Sequence, residues 1–152
     1  MKNITSILFL CFLPSLLFGQ DYSDTLLAKK YLSIGDSLLK LEKPQYETAA
    51  NQFSRAKSVY ETLQLWDDYL DAGLKEGNVY LKRSFRQTDK AIAVFDDCIE
   101  HVKEQPQSLN LALHFHRKGV AFYHANDYEK AIENYKRALK IKRSFLDEND
   151  ND

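Results

Sequence analysis

Glycine and proline are scarce in this sequence. The 152 residues include only 5 glycines and 3 prolines, which argues against an all-β fold with its many tight turns. The charges sum to a formal net of −1, so the composition indicates neither a nucleic-acid partner nor an anionic membrane surface. With 44% hydrophobic and 28% charged residues, the chain is too apolar for disorder and fits one domain or a short array of repeats.

The N-terminus carries the one long apolar run. Lys2 supplies a positive charge, residues 7–18 are almost all apolar, and Gly19 precedes a polar, acidic segment. This is the layout of a secretory signal peptide, and it is too short for a transmembrane helix of about 20 residues. We therefore predict a signal peptide at residues 1–19 and a mature domain at residues 20–152, exported to the periplasm, the cell surface or the medium. An uncleaved anchor or a buried helix is the alternative.

Cysteine is rare as well. Cys11 lies in the predicted signal peptide, so Cys98 alone remains in the mature domain. A single thiol cannot form an internal disulfide, and the stability of the domain must come from packing.

The sequence does contain an internal repeat. Gly35, Gly77 and Gly119 are spaced 42 residues apart, and each lies in a stretch with helical apolar spacing. Each glycine is followed by a small–aromatic–small triplet with spacing i, i+4, i+7. The triplets are Ala49, Phe53 and Ala56, then Ala91, Phe95 and Cys98, then Ala131, Tyr135 and Ala138.

The recurring glycines indicate close helix packing. A glycine inside a helix costs about 1 kcal/mol relative to alanine, so its recurrence implies a compensating contact. We interpret each glycine as the point where a second helix approaches closely, with Gly77 facing Ala91 and Gly119 facing Ala131. The aromatic residue of the triplet then fills the space beside the contact.

Six helices follow from the apolar periodicity and the turn signals. Pro44 and Pro106 lie where a helix would begin, since proline is tolerated in a first turn, and Asn126-Asp127 reads as a short polar turn. The predicted helices are 23–41, 45–64, 67–84, 88–104, 107–125 and 128–146. They form three antiparallel pairs in an all-α solenoid, in units of about 24–64, 66–104 and 107–146.

The third unit resembles the tetratricopeptide repeat family most closely, through its segments 119–122 (GVAF) and 127–132 (DYEKAI). The 42-residue period and the segment 139–146 (LKIKRSFL) look like the longer, kinesin-light-chain-like variant. The resemblance covers about residues 24–146 and implies a right-handed superhelix. Three residues depart from the family pattern, which has a large aromatic residue in place of Gly73 and leucine in place of Glu76 and Lys118.

The resemblance implies a concave groove, lined by the first helix of each pair, in which a peptide or a partner protein binds. By register, its positions are Leu32, Asp36, Leu39, Leu74, Asn78, Leu81, His116, Val120 and Tyr123. Chaperone-binding relatives hold a terminal carboxylate there with a lysine- and asparagine-rich clamp, which only Asn78 matches, so that function does not transfer. We expect a mixed, partly apolar groove. The alternative is that these residues merely pack against one another.

We expect no catalytic, metal or cofactor site, and hence no enzymatic activity. His114 and His116 point to different faces of a helix, and His116 and His124 are about 12 Å apart along it, so neither pair shares a metal ion. We expect the histidines to be exposed or to line the groove. Cys98 belongs to a packing triplet, which favours a buried role over a nucleophilic one.

The last helix carries two apolar stripes. One stripe suits packing against its own partner helix and consists of Ile132, Tyr135, Leu139 and Leu146. The second stripe would be covered by a following unit and consists of Ala131, Ala138, Ile141 and Phe145. We therefore predict either further repeats after residue 152 or an end-to-end dimer through this helix.

Two functions remain open. In the first, the chain is an exported interaction module, without membrane contact in its mature form, that binds a peptide or a partner protein. In the second, it is the N-terminal sensor or scaffold segment of a longer protein with a CHAT-type peptidase or histidine-kinase region, which arrays resembling this one often precede. A catalytic sequence after residue 152 in the gene would distinguish the two.

Removal of residues 1–19 is directly testable. After expression in a secreting host, N-terminal sequencing should show a mature chain that begins close to Gln20, because the charged and apolar segments match a signal peptide. A mature chain that still begins at Met1 contradicts the prediction.

Overall fold

The computed structural model describes the backbone of residues 13–149 and the side chains of residues 21–146, so most of the predicted signal peptide lies outside the described residues. Within this range the chain forms six α-helices and no strand. The helices are α1 (Leu13–Leu39), α2 (Tyr46–Thr62), α3 (Trp66–Tyr80), α4 (Thr88–His101), α5 (Leu109–His124) and α6 (Tyr128–Asn149). None of these helices has an apolar stretch long enough to cross a bilayer.

Each helix packs against the next along the chain, and α3 also packs against α5. The connecting turns are short, so consecutive helices run antiparallel. This serial packing confirms the predicted all-α fold, a helical solenoid of the tetratricopeptide type.

The first helix begins at Leu13, ten residues before its predicted start at residue 23 and within the predicted signal peptide, and the other helix ends differ from the predicted ones where turns intervene. The α3 helix ends at Tyr80, four residues early, because the chain folds back: the Gln87 N–H donates to the Tyr80 carbonyl at 2.8 Å. The Phe85 ring then stacks on Tyr46, with centroids 5.2 Å apart. The two helices that follow a proline also begin later than predicted. Pro44 and Pro106 precede the N-caps of α2 and α5.

Side-chain caps and left-handed residues mark the other ends. The Ser108 hydroxyl caps α5 by accepting the Leu111 N–H at 3.2 Å, and an Asp127 carboxylate oxygen accepts the Lys130 N–H at the start of α6. Asn126 has φ 62°, a left-handed conformation that asparagine tolerates well. It lies in the polar turn predicted between the fifth and sixth helices.

The recurring glycines lie directly against the aromatic residues of their triplets. A Cβ atom at Gly77 would overlap the Phe95 ring, and one at Gly35 would overlap Phe53. At Gly119 the Cβ would come within 2.6 Å of the Tyr135 ring and 3.1 Å of the Ala131 carbonyl oxygen. Only a residue without a side chain allows the two helices to approach this closely.

The small residues of the triplets lie in the buried core. All five alanines, together with Cys98, Phe53 and Phe95, are buried, whereas Tyr135 in the last unit is partly exposed. The buried residues form two clusters, and Phe53 and Phe95 belong to the same one. Leu32 and Val94 pack against both clusters.

The two stripes of the last helix are reversed relative to the prediction. Ala131, Ala138 and Ile141, expected to face a following unit, are buried in the structure. Of the residues expected to pack against the partner helix, Ile132, Leu139 and Leu146 are exposed by 53%, 48% and 63%, whereas Tyr135 is partly buried and lies against Gly119 of α5 as predicted. The prediction was wrong at the other positions because the small residues of the triplet contact α5 closely, which leaves these three aliphatic residues on the outside.

Candidate functional site

The predicted groove positions in the first two units are half-buried. Leu32, Leu39, Leu74 and Leu81 all pack against one core cluster, which includes Phe53, Phe95 and Ala121. The structure therefore brings these four leucines together on one apolar floor. Their remaining exposed area is available to an apolar side chain of a ligand.

An ion pair crosses the groove between α1 and α3. The Lys75 Nζ lies 3.2 Å from an Asp36 carboxylate oxygen and 5.7 Å from the centre of the Phe53 ring. Both charged side chains are about one-third exposed or more, so the pair contributes at most about 1 kcal/mol to stability. Its main effect is to neutralise Asp36, the one carboxylate among the predicted groove positions.

The third unit contributes the exposed part of the groove. Tyr123 is 54% exposed, and its ring lies edge-on to Tyr128, with centroids 5.6 Å apart. His116 is also exposed, 5.5 Å from the Tyr135 ring. These two residues lie on contacts with α6 and not on the leucine floor. Asn78 and Val120 are half-buried.

The charge around His116 is positive. Partial burial and the neighbouring cations Arg117 and Lys142 lower its pKa, so the imidazole is neutral at pH 7. Within the described residues, Arg117 and Lys142 form no ion pair of their own. The third unit therefore carries both an exposed tyrosine and, beside His116, two cations without an ion pair in the described part of the chain.

A buried polar cluster lies between the units, and the sequence reasoning missed it. The Lys57 Nζ lies 3.1 Å from Glu76 Oε2 and 3.0 Å from Asp97 Oδ2. Burial would lower the pKa of Lys57, but the surrounding anionic groups, Glu76 foremost, raise it overall. Burial also raises the pKa of Glu76, and Lys57 opposes that shift. The sequence did offer one signal of this cluster, because Glu76 occupies a position at which the family pattern has leucine.

His114 and Cys98 occupy the space left by Gly73. A Cβ atom at Gly73 would overlap Cys98 Sγ and would lie 3.4 Å from His114 Nε2. His114 is fully buried, so the expectation of an exposed or groove-lining histidine was wrong at this position. The absence of the family's large aromatic residue at position 73 is what makes room for it.

His114 and Cys98, unlike the ion-paired Lys57 and Glu76, are held in their neutral forms. His114 Nδ1 donates to the Asn110 carbonyl at 2.9 Å, and Nε2 has no partner within the described residues. Burial lowers the pKa of His114 to about 4, and the nearby Lys57 adds to that effect. Burial also raises the pKa of the Cys98 thiol to about 12. A buried, protonated thiol is a poor nucleophile.

The side chains that could ligate a metal are dispersed. Across the described part of the chain, no three histidine, cysteine, aspartate or glutamate side chains lie close enough together to hold a metal ion. His101 is instead engaged by carboxylates, with its Nε2 3.1 Å from Glu61 Oε1. The arrangement as a whole offers an apolar and aromatic surface with positive charge at one end.

Comparison with known families addresses the repeat directly. Residues 77–144 match the family model described as tetratricopeptide repeat. The match supports a tetratricopeptide repeat family. It begins at Gly77, includes the glycine and triplet of the third unit, and ends within α6. Tetratricopeptide repeats typically mediate protein interactions and are not catalytic, so the match suggests a protein-interaction module. No curated protein matches the chain.

The buried histidine predicts an acid-sensitive fold. The folded-state pKa of His114, about 4, is below the ordinary value of 6.5. The unfolded chain therefore binds more protons between these pH values, and the stabilising contribution is lost as the pH falls from 6.5 to 4. The loss amounts to about 3 kcal/mol in the free energy of unfolding.

Urea denaturation across this pH range measures the effect. Glu76, whose pKa is raised, stabilises the folded state as the pH falls and so opposes the effect of His114. The contribution of His114 must therefore be measured by comparing the wild type with a His114 variant. His114→Gln should flatten the pH dependence, whereas His124→Gln, outside the cluster, should leave it unchanged. An equally steep acid loss in His114→Gln would contradict the assignment.

Proposed function

We propose that this chain is an exported, non-enzymatic interaction module that binds a peptide or a helix of a partner protein along the face of α1, α3 and α5. The single observation that carries the proposal is the surface formed by exposed Tyr123 and the half-buried leucines at equivalent positions of the repeat. A large aromatic side chain that is half in solvent is well suited to anchor a ligand.

The groove favours one class of ligand. The leucine floor suits apolar side chains, and the neutralised Asp36 adds no net negative charge. Arg117 and Lys142 at the third unit suit a carboxylate of the ligand. We therefore propose a segment with apolar residues and an acidic residue at the end that meets α5. Recognition is by side chains, because the groove lacks the clamp that would hold a terminal carboxylate.

Export and the repeat subtype belong to the same proposal. The apolar N-terminal segment supports secretion, and the spacing of Gly35, Gly77 and Gly119 supports the longer, kinesin-light-chain-like variant of the repeat. Between Gly77 and Gly119 this spacing spans the turn that Phe85 closes before α4 and the turn around Pro106 before α5. The exported protein would meet its partner outside the cytoplasm.

Peptides selected from a displayed random library against the full chain provide the probe. Calorimetry with the tightest selected peptide should show at least about tenfold weaker binding to Tyr123→Ala, a loss of about 1.4 kcal/mol. Asn51→Ala, exposed on α2, is the matched control and should bind as the wild type does. Replacing the acidic residue of the peptide by its amide should weaken binding to the wild type and have little effect on Arg117→Ala.

Charge substitutions on the floor test the same surface more strongly. Leu81→Glu and Val120→Glu should abolish binding of the selected peptide while the helical circular dichroism signal persists. Leu81 also packs on the core, so its variant needs the denaturation control. Unchanged binding in Tyr123→Ala and Val120→Glu together would refute the groove.

A further inference from the structure

The two ends of the solenoid carry exposed apolar residues at the positions where inner units contact one another. We name them the α6 end face, formed by Ile132 and Leu139, and the α1 end face, formed by Leu27 and Ile34. In each face the two residues are seven apart and lie on one side of the helix. Their equivalents within the solenoid show what normally covers them.

The α6 end face has an internal counterpart in α4. Ile92 and Ile99 lie 40 residues before Ile132 and Leu139 and occupy the same positions of the repeat. Both isoleucines are half-buried against the core, whereas Ile132 and Leu139 are exposed. The chemistry of the side chains is the same. The difference is that α5 follows α4, and no described helix follows α6.

The α1 end face has its counterpart in α3. Tyr69 and Glu76 lie 42 residues after Leu27 and Ile34, and both contact Lys57 of the preceding unit: its Nζ lies 6.0 Å from the Tyr69 ring centre and 3.1 Å from Glu76. Tyr69 and Glu76 are buried, whereas Leu27 is 39% and Ile34 37% exposed. The α1 end face is thus the side on which a preceding unit would pack.

The inner junctions pair charge with charge, whereas the ends offer apolar residues. Lys57 of α2 meets Glu76 of α3, and Asp96 of α4 meets Lys118 of α5. Position 34 is the equivalent of Glu76 and Lys118, and position 139 is the equivalent of Lys57 in α2 and of Ile99 in α4. At the two ends these positions hold isoleucine and leucine, so the two end faces are apolar and complement each other.

We propose that the chain associates head to tail with a second copy, with the α6 end face of one molecule packed on the α1 end face of the next. The contact would repeat the way α2 packs on α3 and α4 on α5. Because the two faces differ, the interface is heterologous and leads to open chains or closed rings. The solenoid would then continue from one molecule into the next.

A symmetric contact between two α6 helices fits less well. Lys136, Lys140 and Arg143 flank Leu139, and within the described residues they form no ion pair. A two-fold α6–α6 contact would bring these cations against their own copies. The α1 end face has Lys29 and Lys30 beside Leu27, and a lysine can lay its stem on an apolar surface with its ammonium group in water. Added salt should therefore strengthen the association by screening the remaining like charges.

Analytical ultracentrifugation of the full chain at increasing concentration tests the proposal by complementation. The wild type should shift toward dimers and larger species. Leu139→Glu and Ile34→Glu should each be monomeric alone, because each lacks one face. An equimolar mixture of the two should form a one-to-one heterodimer and nothing larger, because it retains a single intact interface. Leu109→Glu, on an exposed leucine outside both faces, should associate as the wild type does.

Other outcomes overturn the proposal. A wild type that stays monomeric at every concentration refutes it. Association that survives in Ile34→Glu but is lost in Leu139→Glu would indicate an α6–α6 dimer instead, and a mixture without heterodimer would exclude the head-to-tail contact. Circular dichroism should show that each variant is folded. Tyr123→Ala should leave association unchanged, so failure here is distinguishable from failure of the groove.

Discussion

The contact between a first-helix glycine and the aromatic ring of the following helix is the constraint on which the rest of the structure depends. It occurs three times, as Gly35 with Phe53, Gly77 with Phe95 and Gly119 with Tyr135. A side chain at the glycine would hold the two helices apart, and the alanines of the triplet would no longer reach the core. The spacing of the contact along the chain therefore sets the spacing of the units.

The junctions between units are specified by a different kind of interaction. Lys57, Glu76 and Asp97 form a largely buried charged cluster. Desolvation offsets much of the attraction within such clusters, so their net contribution to stability is small. Leaving one of these charges unpaired is costly, however. The paired charges therefore distinguish the junction between the first two units from the end faces, where Ile34 and Leu139 hold the corresponding positions.

The repeat period places the proposed groove and the two end faces on different sides of the helices. The predicted groove positions hold leucines and the exposed Tyr123, whereas positions that face the next unit hold charged and aliphatic residues inside the array and aliphatic residues at its ends. The surfaces proposed for ligand binding and for self-association are therefore separate. A head-to-tail array would also repeat the groove from one molecule to the next, so that a multivalent partner would bind with increased avidity.

Much of this architecture could be predicted from the sequence. The 42-residue spacing and the triplets indicated the helix pairs and the close contacts, because small residues that recur at a fixed period are typical of helices that pack closely in every unit. Most residues of the two α6 stripes, though not Tyr135, were assigned the wrong way round, since both stripes have helical spacing and apolarity alone does not show which one contacts α5. The end of α3 was missed because the stacking of Phe85 on Tyr46 joins residues distant in sequence.

The buried site was the hardest to foresee. His114 is polar and carries no local mark of burial, and the space that receives it exists only because residue 73, on another helix, is glycine. The role of Glu76 as an ion-pair partner is likewise evident only from the structure, in which Lys57 of the neighbouring unit lies 3.1 Å away. Such pairings across units depend on the packing of three helices and are not contained in the pattern of any one.

A double-mutant cycle at Gly77 and Phe95 tests the central contact most directly. Gly77→Ala alone should lose about 1–3 kcal/mol through overpacking, more than the roughly 1 kcal/mol gained in helix propensity. Phe95→Leu alone should lose about 2–4 kcal/mol through the vacated volume. If the ring and the glycine fit one another, the added methyl group occupies part of that volume, and the double variant should be more stable than the sum of the single changes by at least about 1 kcal/mol. Additive losses, within about 0.5 kcal/mol, would contradict the account.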